Sequence, residues 1–98
     1  MATLIKGTYG NNFRCKMKHD ESNTALITDA PKDNNGKGES YSPTDLVATA
    51  LASCMMTIMA IRAKAKHINI GLPTFSVVKN MKIEPRMINL LEVNFELP

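Results

Sequence analysis

One feature constrains this chain more than any other: an uninterrupted apolar helix near its middle. From Thr44 to about Lys66 there is neither Gly nor Pro, and Ala recurs at positions 48, 50, 52, 60, 63 and 65. At about 1.5 Å per residue such a helix is roughly 35 Å long, as long as a small domain is wide. Its start is well marked. Ser42 suits the N-cap, Pro43 suits the first helical position, and Asp45 completes a capping box in which Asp stands in for the usual Glu. Arg62, Lys64 and Lys66 complement the helix C-terminus. Thr49, Ser53 and Thr57 form one narrow polar stripe, and every other side chain from Leu46 to Ile61 is apolar. A helix apolar on nearly every side has to be buried on nearly every side. A membrane span is the rival reading. The apolar stretch is shorter than the ~20 residues a bilayer needs and is broken by Thr and Ser, so a core helix is expected and no membrane partner.

The rest of the chain must cover that helix. Thr3–Tyr9 carries β-branched and aromatic residues, Gly10-Asn11-Asn12 is a turn, and Phe13–Lys18 alternates apolar and basic with period two. His19–Asn23 is a polar hairpin turn and Thr24–Thr28 a third strand, so the three predict a meander. Residues 29–42 read as a loop, long for a small domain and therefore functional or mobile. After Gly71-Leu72-Pro73, Thr74–Met81 and Met87–Leu97 read as two strands, split by a turn at Glu84-Pro85-Arg86. With 98 residues, 44% of them hydrophobic, there is one α+β domain with a modest core and no room for two. Five strands are too little material to surround the helix. Either the protein dimerises around it or further chain belongs to the domain.

Charge and cysteine content exclude several classes. Twelve Lys and Arg against nine Asp and Glu give a net charge of +3, but the basic residues are scattered and few aromatics lie among them, so no nucleic-acid partner is expected. Met1–Lys6 lacks the pattern of a signal peptide, and Cys15 and Cys54 do not make a disulfide scaffold, so a cytoplasmic protein with free thiols is expected. There is no CxxC, and His19 and His67 stand at no ligand spacing from either cysteine. No metal or cofactor is implied.

Cys54 lies in the middle of the apolar helix, where a small core hydrophobe is the plainest role. A reactive thiol at mid-helix gains nothing from a helix N-terminus and needs a cation from another element. Arg14, on the alternating second strand, is the candidate, because Arg stays charged when desolvated and offers fixed N–H donors. Cys15 is adjacent to Arg14 and so points to the opposite face, which makes it a poor partner for Cys54 if Arg14 faces it. His19 reads as a turn residue, and Met55, Met56 and Met59 as packing.

The stretch from Gly36-Lys37-Gly38-Glu39-Ser40-Tyr41-Ser42-Pro43-Thr44-Asp45-Leu46 to Ser53-Cys54-Met55 resembles the signature of the OsmC/Ohr family of thiol-dependent hydroperoxide reductases. Phe13-Arg14-Cys15, Ile27-Thr28-Asp29-Ala30-Pro31, Lys79-Asn80-Met81 and Pro85-Arg86 agree with it more softly. The resemblance implies antiparallel strands wrapped around a long buried central helix, in an intertwined homodimer with sites at the subunit interface. It implies an organic hydroperoxide as substrate and a dithiol as reductant. Cys54 would be the peroxidatic thiol, Arg14 its activating cation, and Asp45 the carboxylate nearest the position that holds that Arg.

Two departures from the family pattern matter. The family's peroxidases carry Glu directly after the helix-cap Pro, where this chain has Thr44; the Pro-Thr-Asp-Leu form resembles an OsmC-like branch. The family's resolving Cys lies in a later helix, and residues 56–98 contain no Cys. The chain thus resembles the first two-thirds of the domain, and weak or no turnover is expected without an external thiol. A non-enzymatic dimeric scaffold or small-ligand-binding protein, with Cys54 as inert core, is the alternative that Thr44 supports.

Overall fold

The computed structural model describes residues 1–98 and shows an α+β chain with one α-helix and two antiparallel sheets. It separates into two compact units, Met1–Thr44 and Asp45–Pro98.

In the first unit β1 (Ile5–Tyr9), β2 (Arg14–His19) and β3 (Ala25–Asp29) form the expected meander, in the order β1-β2-β3. The first turn is tighter than a two-Asn turn suggests. Asn11, Asn12 and Phe13 all take left-handed backbone, with φ of 70°, 54° and 60°. Asn tolerates this; a bulky residue does so at an expense of about 1–3 kcal/mol. Phe13 is held there from both sides, its N–H donating to Tyr9 Oη at 3.2 Å and its carbonyl accepting from the Ala30 N–H at 3.1 Å. In the second turn His19 Nδ1 accepts from the Ser22 N–H at 3.1 Å, and the Asn23 N–H donates to the His19 carbonyl at 2.8 Å. His19 is a turn residue, as its setting in the sequence indicates.

The 29–42 segment is more structured than a free loop. Asp29 still belongs to β3, and Lys32–Asn34 make a single 3-10 turn. Tyr41 returns to form a parallel bridge with Thr28, its carbonyl accepting from the Asp29 N–H at 2.9 Å. Gly36 and Gly38 make this compactness possible. A Cβ on Gly36 would run into the Ala30 backbone carbonyl, and Gly38 has φ of +63° while its N–H donates to the Ala30 oxygen at 3.2 Å.

The helix α1 spans Pro43–Ala65. It starts beside the buried Ser42, whose Oγ lies 3.2 Å from Thr44 Oγ1. It ends in a Schellman turn with His67 at the left-handed position, φ 58°, where Gly is usual; the Ile68 N–H donates to the Ala63 carbonyl at 2.8 Å and the His67 N–H to the Lys64 carbonyl at 3.1 Å. In the second unit β4 (Thr74–Lys82) pairs with β5 (Met87–Glu96), with a register shift at Asn80/Met81 and stacked Phe75 and Phe95 rings 5.9 Å apart.

The expectation of a helix buried on nearly every side is not met within one chain. Only Ala48 and Ala52 of the helix are buried, and they are also the only buried hydrophobic residues of the whole chain. Val47, Leu51, Met55, Ile58 and Ile61 stay exposed. By length and composition α1 could cross a membrane, a test that the core helix of a soluble protein also passes.

The loop geometry yields a direct expectation. Gly36→Ala forces backbone movement against Ala30 and lowers stability by about 1–3 kcal/mol, read by chemical denaturation, with Gly10→Ala, which meets only ordinary contact, as the control.

Candidate functional site

The three residues singled out from the sequence fall in two places. Arg14 opens β2 in the first unit; Asp45 and Cys54 lie on α1, in the second. Around each, one chain builds a definite setting.

Arg14 sits directly opposite Asp29 in the β2–β3 register. The register is set at the turn between the two strands, where the His19 N–H donates to the Thr24 carbonyl at 2.8 Å and Lys18 faces Ala25. Arg14 Nη2 donates to Asp29 Oδ2 at 3.0 Å and to Glu39 Oε1 at 2.7 Å. The Asp29 side chain is fully buried, Arg14 is 38% exposed and Glu39 60% exposed. The Glu39 backbone N–H also donates to Asp29 Oδ2, at 2.9 Å. Asp29 Oδ2 thus takes two hydrogen bonds, while its other oxygen, Oδ1, is buried without a partner.

These contacts set the protonation states. The hydrogen bond from Arg14, then that from the Glu39 N–H, hold the Asp29 carboxyl below its ordinary range against the opposing effect of burial, and Lys37 adds a smaller attraction. Hydrogen bonds to Asp29 and then Glu39 raise Arg14 further above its already high value. The result is a fixed guanidinium, carried between a buried carboxylate and an exposed one.

Asp45, in the first turn of α1, pairs with Lys79 of β4 at 2.8 Å, and Lys79 is only 15% exposed. This pair ties the helix start to the second sheet. Cys54 stands between Ala52 and Met55 and is exposed, whereas Cys15 is half-buried and paired in register with Thr28 and Tyr9. The polar stripe is carried by exposed residues, and Ser53 Oγ donates back to the Ala50 carbonyl at 3.3 Å.

Sequence reasoning missed three charged residues here. Asp29 was named only within the resemblance: a turn read as His19–Asn23 pairs Lys18 with Thr24 and puts Thr28 opposite Arg14, whereas the observed register pairs Lys18 with Ala25. Lys79 was named only as part of the resemblance and not as the partner of Asp45. Glu39 was likewise named only within the resemblance and not as a partner of Arg14, since the path of a loop is not written in its period or spacing.

No family model matches the chain, and no curated protein does. A solved structure does: the crystal structure of a protein described as an osmotic stress induced and detoxification response protein from Psychrobacter arcticus 273-4. It is 44% identical, superimposes with a TM-score of 0.91, and is covered over 99% of this chain and 71% of its own.

The sign of the Asp29 shift fixes a pH response. A carboxyl whose folded pKa is depressed contributes stability above its unfolded value of about 3.9, and that contribution is lost as pH falls through the folded value. The wild type therefore loses stability steeply below about pH 4. Asp29→Asn is less stable at neutral pH and has a flatter acid limb, measured by denaturant titration from neutral pH downward.

Proposed function

The chain belongs to the OsmC-like family of stress proteins, and from that membership we propose that it reduces organic hydroperoxides with Cys54 as the attacking thiol. The observation that carries the reading is the position of Cys54: exposed on α1, in the stretch with the family signature. The stress and detoxification response named for the Psychrobacter protein is compatible with such a role and specifies no chemistry.

The reaction runs in two stages. The Cys54 thiolate attacks one oxygen of the hydroperoxide and the O–O bond breaks. The alkoxide leaves and takes up a proton to become the alcohol, and Cys54, oxidised by two electrons, becomes a sulfenic acid. A dithiol donor resolves it. One thiol of the donor condenses with the sulfenic acid, releasing water and forming a mixed disulfide. The donor's second thiol displaces the Cys54 thiolate, and the donor departs as a disulfide. The family resemblance gives Arg14, acting across the dimer, the role of holding the thiolate and the developing oxyanion, for which a permanent charge and rigid N–H donors suit it. Asp45 is a positioning residue at the helix start, acting through Lys79. The protein works as a homodimer in the cytoplasm, with the exposed face of Val47, Leu51, Ile58 and Ile61 covered by a second copy.

Two measurements test this. Consumption of cumene hydroperoxide with a dihydrolipoyl donor falls to the uncatalysed rate in Cys54→Ser and by about tenfold or more in Arg14→Met; a Cys54→Ser protein as fast as wild type removes Cys54 from the chemistry. Sedimentation equilibrium gives twice the 10.8 kDa chain mass for wild type, and Leu51→Glu with Ile58→Glu shifts it to the monomer.

A further inference from the structure

We infer that Arg14 has two seats, and that Glu39 is the positioning residue that decides between them. In the first seat Arg14 bridges Asp29 and Glu39; in the second it forks onto both oxygens of Asp29. The inference deepens the reading above and rests on it only for the consequence at Cys54.

Three observations carry it. Both hydrogen bonds of Arg14 leave from one atom, Nη2, so the guanidinium is held at a single corner. Its Nε and Nη1 donors are left over, although an Arg–carboxylate pair is strongest when two parallel N–H groups meet two oxygens. Asp29 shows the complementary defect. Oδ2 accepts two hydrogen bonds while Oδ1, equally buried, accepts none. A buried carboxylate oxygen without a donor is among the more unfavourable states a polar group can take. A turn of the guanidinium that keeps Nη2 on Oδ2 and brings a second N–H to Oδ1 repairs both defects at once.

Glu39 opposes that turn, because its carboxylate draws Nη2 at 2.7 Å, the shorter of the two bonds. It does so from an unusual anchorage. Its backbone N–H is fixed to Asp29 Oδ2, while its side chain is 60% exposed. The Glu39 side chain can therefore leave by rotation alone, with no movement of the loop and no loss of the backbone bond. Asp29 is the permanent seat and Glu39 the releasable one. An ion pair as exposed as that with Glu39 is weak, so little holds Arg14 away from the forked seat once Glu39 is withdrawn. For a thiol served by Arg14, the bridged seat leaves the guanidinium shared with a displaceable carboxylate, and the forked seat commits it to a buried one.

The test uses the whole chain, labelled with nitrogen-15, and the side-chain guanidinium signals of Arg14, assigned by their loss in Arg14→Lys. Glu39→Ala removes the releasable seat and keeps the backbone bond. The expected result is that Arg14 gains resolved, slowly rotating Nη signals, and that a crystal structure of Glu39→Ala shows Arg14 donating to both Asp29 oxygens. Glu39→Gln, which keeps a neutral acceptor, falls between wild type and Glu39→Ala. Arg14 signals in Glu39→Ala that average like those of exposed Arg62 overturn the inference, and so does a crystal structure with Arg14 still on Oδ2 alone and a water on Oδ1. The alkylation rate of Cys54 by iodoacetamide separates this from the peroxidatic reading. A change of threefold or more in Glu39→Ala supports both. An unchanged rate with altered Arg14 signals supports the two seats and overturns the action of Arg14 on Cys54.

Discussion

A carboxylate with no exposed surface has to find its partners where the fold places it, and Asp29 organises the first unit around that need. It ends β3, faces Arg14 across the ladder, and takes the Glu39 N–H from the returning loop. Its own N–H goes to Tyr41, and the next residue, Ala30, reaches the strained Phe13 on one side and Gly38 on the other. A strand, a turn and a loop therefore converge on two consecutive residues. Residues 30–42 hold a defined path with almost no regular structure because the Glu39 N–H and the Tyr41 carbonyl are tied to Asp29 at the end of β3, and the Asn34, Gly36 and Gly38 N–H groups to Pro31 and Ala30 just after it. It is also why Gly is required at 36, where the chain passes against Ala30 too closely for any side chain.

The second unit obeys a different constraint. Its helix is too apolar for the material around it, and two alanines are the whole of its buried apolar surface. Small residues buried beside large exposed ones are the reverse of an ordinary amphipathic helix, in which the large side chains go inward. Here the small side chains are the covered ones and Val47, Leu51, Met55, Ile58 and Ile61 are exposed. A two-stranded hairpin such as β4–β5 is also marginal alone.

Much of this was legible in the sequence. Period-two alternation placed β2, the polar turns placed the meander, and the Ser42-Pro43 start placed α1 to within a residue of its observed end at Ala65. These features are local, and local rules suffice for them. The helix burial was misjudged for one chain because periodicity reports how apolar a face is and not what covers it. Glu39 and Lys79 escaped for a related reason. Each meets its partner across a long sequence separation, Arg14 for one and Asp45 for the other, and neither contact leaves a spacing to count.

The replacement of the expected Glu by Thr44 looked from the sequence like the loss of the group that holds Arg14. The structure changes that argument. Arg14 already has a carboxylate opposite it on β3 and a second from the loop, so nothing at position 44 is needed to fix its charge. A carboxylate on the first turn of a helix is rigid and partly committed to the helix dipole. A carboxylate on a loop, anchored only through its backbone, has both its charge and its freedom of rotation available. Of the two carboxylates that hold Arg14, one is buried on the strand opposite and the other is an exposed loop side chain whose backbone N–H is itself bound to the first.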